Sequence, residues 1–99
     1  MPKAIVVAGV PATNAPPGPI IILRLPAVLK RRGRSRSSHY QDVKEGLYVK
    51  PVLIGLRAAG TPDHEVDTLN AARIAGKSDN EMRELVKVLH AKRTELFMA

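Results

Sequence analysis

Ninety-nine residues without a cysteine suit one small domain, exclude disulfides and thiolate metal sites, and fit a reducing cytosol. Sixteen lysines and arginines against nine acids leave a net charge of +7, and all of that excess lies in residues 1–50, where the only acids are Asp42 and Glu45. A basic field concentrated in residues 30–36 suits a polyanion, nucleic acid ahead of an anionic membrane surface, with an ordinary solvated face as the plain alternative.

Residues 1–19, MPKAIVVAGVPATNAPPGP, hold five prolines and no charge after Lys3, which predicts a disordered or loosely ordered arm. The run AIVVAGV is too short to cross a bilayer, and Lys3 alone makes a weak signal peptide, so a soluble, cytoplasmic chain is expected, with no membrane partner. The same run could add an edge strand.

From Ile20 the pattern tightens. Pro26 fits the first turn of a helix, Leu25, Val28 and Leu29 form one apolar face, and Gly33 supplies a left-handed stop after a basic last turn. Ser35 or Ser37 can cap a second helix ending at Gly46. LYVKPVLIG reads as a strand that Pro51 makes irregular or confines to an edge, Gly55-Leu56-Arg57 as a turn, and Ala58-Ala59-Gly60 as a brief returning strand. Thr61, Pro62 and Asp63 predict a helix start as cap, N1 proline and N2 acid, followed by Val66, Leu69 and Ile74 as a partial apolar face. Ser78 and Glu81 form a capping box that opens a last helix through about Phe97. Met82, Leu85, Leu89 and Leu96 approximate a seam for self-association or cooperative assembly, although Lys92 and Arg93 interrupt it. The other reading packs this helix back on its own domain.

The expected fold is therefore mainly α with a small β-hairpin: a winged helix-turn-helix over residues 20–76, preceded by the arm and followed by a C-terminal helix over residues 77–99. RLPAVL, G-x-SRSS-x-Y, KEG, KPV-x-x-G-x-RA-x-G-x-P and EVD-x-x-x-AARIA follow one another in order over about residues 23–75. This set resembles the AlpA family of phage-type transcriptional regulators, small MerR-like proteins related to excisionases. The resemblance implies sequence-specific DNA binding in a prophage or mobile element, and in some relatives assistance to an integrase in DNA excision. Some positions depart from the pattern. Arg34 replaces an apolar residue, Thr61 and Leu69 stand where the family has tryptophans, and Asn70 replaces another apolar residue. His39 and Asp42 fall at positions expected to face the core. At i, i+3 they can bond each other at the core edge, the preferred reading; alternatively the helix is rotated, or marginal until it meets DNA.

For base reading, Ser37, Gln41 and Lys44 share one helical face, flanked by Arg36, Ser38 and Tyr40. Lys30, Arg31, Arg32, Arg34, Lys50 and Arg57 are candidate phosphate ligands, with Arg57 at the hairpin tip. For each base-reading candidate the alternative is an ordinary solvent-exposed side chain. Three scattered histidines make a poor metal site, and no cofactor loop, catalytic triad or carboxylate pair is in evidence, so neither cofactor nor enzyme activity is expected. Two tasks on double-stranded DNA compete, transcriptional regulation and architectural bending of attachment-site DNA beside a tyrosine recombinase. An RNA- or protein-binding adaptor stands outside them, though Tyr40, Tyr48 and Phe97 supply little for base stacking.

Overall fold

A computed structural model describes residues 19–98; the expected arm, with its possible edge strand, lies almost wholly outside them. The described residues form four helices and a small antiparallel sheet, in the order β1 (Ile22–Leu23), α1 (Leu25–Arg32), α2 (Arg36–Lys44), β2 (Val52–Gly55), β3 (Ala58–Pro62), α3 (Asp63–Ile74) and α4 (Asp79–Met98). Gly33 ends α1 at φ 67°, a conformation that costs an L side chain, and its N–H bonds the Leu29 carbonyl. Of the two candidate caps for α2, Ser35 holds the place: its Oγ accepts the Ser38 N–H at 3.2 Å.

The sheet has three strands, one more than the hairpin expected. β3 lies between β1 and β2, with Ile22 opposite Pro62, Leu23 opposite Thr61 and Val52 opposite Gly60. The third strand depends on Gly60, because a Cβ there would stand 2.5 Å from Ile22 Cγ2 and 2.8 Å from the Leu23 carbonyl oxygen. Beyond the strand, Asp63 donates its N–H to the Ile21 carbonyl and accepts the Ile21 N–H on Oδ1.

Three local expectations change. Thr61 is the penultimate residue of β3 and caps nothing; Pro62 holds the N-cap position, and α3 begins at Asp63. Ile74 is 87 % exposed, so the core face of α3 is Val66, Leu69 and Ala72. The predicted strand over residues 47–55 starts only at Val52. Leu47, Tyr48 and Val49 are all buried, which an alternating strand does not allow. The backbone of Lys50 is instead bonded to α4: its N–H donates to His90 Nε2 at 3.0 Å, and its carbonyl accepts from Arg93 at 2.7 Å.

One core joins these elements, with Val28 of α1, Val66 and Leu69 of α3, and Met82, Val86 and Leu89 of α4. The last helix therefore packs back on its own domain. Its start is the reciprocal capping box read from sequence, Ser78 N–H to Glu81 Oε1 at 2.9 Å and Glu81 N–H to Ser78 Oγ at 3.2 Å. Among the described residues no helix is long and apolar enough to cross a membrane.

Candidate nucleic-acid interface

α2 has two faces of different chemistry. Its inner face buries His39 and Asp42, where an amphipathic helix would place apolar groups. These two side chains do not satisfy each other, as the sequence reading preferred; both are satisfied by Arg32, from the end of α1. Arg32 donates to Asp42 Oδ2 at 2.7 Å and to His39 Nδ1 at 2.9 Å, and its guanidinium lies 3.8 Å from the Tyr48 ring centroid. Because arginine has no acceptor, Nδ1 of His39 must be the acceptor, which leaves the ring proton on Nε2. Arg34 adds two bonds to the same carboxylate, at 3.2 and 3.1 Å. The His39 ring meets Tyr48 edge-on at 5.2 Å and completes the cluster.

Burial alone would raise the Asp42 pKa, but hydrogen bonds from Arg34 and Arg32, together with their charges, outweigh it and hold the carboxyl below its ordinary value. Burial lowers the His39 pKa, and the Arg32 charge adds to that against the opposing pull of Asp42, so the neutral imidazole is favoured. Burial also pushes the Tyr48 phenol up to about 12, and its hydroxyl is buried without a hydrogen-bond partner.

This cluster divides the basic run. The Arg32 side chain is 8 % exposed and so is withdrawn from the phosphate ligands expected of it. Arg34 is half exposed and commits its Nε and Nη2 to Asp42, so its charge is already paired. Arg31 pairs with Asp67 across to α3, at the surface where such pairs contribute little, and its carbonyl accepts from Asn70. Lys30, Lys50 and Arg57 are exposed, and among the described residues no acid pairs with them. A cleft of about 430 Å³ opens beside the cluster, but Arg32, Arg34 and Arg73 on its wall are already paired with Asp42 or Asp79.

The outer face of α2 matches the sequence-derived set. Arg36, Ser37, Tyr40, Gln41 and Lys44 are exposed, and Ser38 is half-buried at the cap. Gln41 donates to Glu45 one turn on; Arg36 and Lys44 have no acidic partner among the described residues. The hairpin beyond presents Lys50 at its base and Arg57 in its two-residue turn, with no acid between Glu45 and Asp63. These exposed side chains offer amide, hydroxyl, guanidinium and ammonium donors and little negative charge.

The self-association candidates fare differently. Met82 and Leu89 are buried in the chain's own core, Leu85 packs against that core, and Leu96 is half-buried, so this seam closes on its own domain. Arg93, which breaks the pattern, makes a forked bond to the buried Glu65 at 2.9 and 2.6 Å. Sequence reasoning missed this pair because its members lie 28 positions apart. The only sequence signal was an arginine on an otherwise apolar stripe.

Among the described residues no group of histidine, aspartate and glutamate side chains is assembled to hold a metal. Set against models of known protein families, curated proteins and solved structures, the chain matches none of them.

Proposed function

We propose that the chain is a sequence-specific double-stranded DNA-binding regulator of winged helix-turn-helix form, with α2 in the major groove and the β2–β3 hairpin against the backbone. The observation that carries this reading is the two-faced character of α2. One face is fastened inward through His39, Asp42 and Arg32, and the other presents Arg36, Ser37, Tyr40, Gln41 and Lys44 to solvent. Gln41 has the geometry to bond adenine bidentately, and Lys44 can reach guanine or a phosphate. Lys30, Lys50 and Arg57 supply the salt-dependent contacts that carry no base information. The resemblance to AlpA-type regulators over residues 23–75 points the same way, toward a prophage or other mobile element.

Hydroxyl-radical footprinting on the DNA flanking the chain's own gene tests the proposal. One compact protected site at a promoter is the expected result. Wide, repeated protection at an attachment site, with excision restored when integrase is added, would assign the architectural task instead. Equal affinity for single-stranded RNA and for that duplex would overturn both.

A further inference from the structure

The tip of the β2–β3 hairpin combines two features that the reading above does not use together. Leu56, the first residue of its turn, is 97 % exposed, and Leu53 on β2 is 79 % exposed. Of the ten large apolar side chains exposed among the described residues, three, Leu53, Ile54 and Leu56, crowd into four positions at this tip. Arg57, also exposed, stands beside Leu56.

The base of this hairpin is fastened to the domain. β3 is paired on both edges, by β1 and by β2, and Lys50 at the hairpin base is bonded to His90 and Arg93 of α4 through both of its backbone groups. A bulge between Leu53 and Gly55 bends β2 just before the turn. A leucine projecting from a two-residue turn next to an arginine has the size to enter a groove about 6 Å wide.

Charge selects the partner. From Gly46 to Pro62 the chain carries Lys50 and Arg57 and no acid. A second copy meeting this tip through the same surface would set cation against cation, whereas DNA supplies phosphates on both sides of the minor groove. We infer that Leu56 is a wedge: Arg57 guides the hairpin tip into the minor groove, and the leucine side chain inserts between base pairs, unstacking one step and kinking the duplex. This rests on the reading of α2 as the major-groove element.

The test uses the full chain and a duplex recovered by it from a random-sequence pool, with 2-aminopurine placed at successive steps flanking the protected major-groove site. One step should brighten severalfold on binding, and end-to-end energy transfer should report a bend. Leu56→Ala alters a side chain that packs against nothing, so it should fold as the parent and bind within about tenfold of its affinity, but lose both the brightening and the bend. Leu56→Met should keep both. Retention of both signals in Leu56→Ala overturns the wedge while leaving DNA binding intact. So does a change in sedimentation without DNA, which would mark Leu56 as a protein contact. Should the parent and Leu56→Ala alike recover no duplex, the DNA-binding reading fails and the wedge with it.

Discussion

Arg32 shows how one residue can change role when its neighbours are known. In the sequence it is one of four arginines in a basic run; in the fold it satisfies Asp42, His39 and the face of Tyr48 at once. Arg32→Ala would leave Asp42 buried with only the half-exposed Arg34 to balance it, and should cost about 3–5 kcal/mol of stability in urea unfolding. Arg57→Ala, at an exposed tip, should change stability by no more than about 0.5 kcal/mol. Tyr48→Phe should be neutral or stabilising, since it keeps the ring under Arg32 and removes a hydroxyl that has no partner; a lower melting temperature would contradict the unpartnered hydroxyl. The pH dependence follows from two directions. His39 and His90 have folded pKa values below 6.5, so their contribution is present above that value and lost as pH falls below it. For His90 the cause is burial first, then the Arg93 charge, and a protonated Nε2 could no longer accept the Lys50 N–H. Asp42, held below its ordinary 3.8, loses its contribution only in stronger acid. Urea midpoints should therefore drop first below pH 6.5 and again below pH 3.8; a flat profile between neutrality and the carboxylate range would contradict the histidine assignments.

At the scale of elements, what was legible in the sequence was what neighbouring residues decide among themselves. The Gly33 stop and the Ser78–Glu81 box each involve partners within four positions, and both were read correctly. The Ser35 cap is equally local and was one of two named alternatives. Ser78→Ala should cost about 1 kcal/mol, checked by the same urea titration. What was not legible depends on distant partners. β1 is two residues long and exists only by pairing with Thr61 and Pro62. The segment before β2 is no strand because His90 and Arg93 take the Lys50 backbone groups. Gly60 was read as the last residue of the brief returning strand and does lie in that strand, but its second task, giving Ile22 and Leu23 room to approach, depends on a distant segment. Gly60→Ala should push β1 away, lowering stability by about 1–3 kcal/mol and removing hydrogen-exchange protection at Leu23. The outer face of α2 was legible because helical periodicity alone places it; the polar inner face was noticed, but its cation came from another helix.

For the whole molecule, α4 is part of the single core rather than an appendage. Met82, Val86 and Leu89 are buried against the rest of the domain, and Arg93 neutralises Glu65 inside it. Deleting residues 78–99 should therefore abolish cooperative unfolding, and a truncated chain that still melts in one sharp transition would refute this. Charge is sorted by the same fold. Acids of α3 and α4 engage Arg31, Arg73, Lys77, Lys87 and Arg93, while Lys30, Arg36, Lys44, Lys50 and Arg57 have no acidic partner among the described residues. On DNA, each of these unpaired cations that contacts a phosphate should contribute about 0.9 to the salt slope of binding, so Lys30→Ala and Arg57→Ala should each flatten it by that amount.

The central claim, that the outer face of α2 reads bases, is tested most directly by selecting duplexes from a random-sequence pool with the parent chain and with Gln41→Ala. The parent should enrich one motif, and Gln41→Ala should bind the same site but lose preference at a single position, with discrimination falling by about 1–3 kcal/mol there. Enrichment of no motif by the parent, or of an unchanged motif by Gln41→Ala, would contradict it.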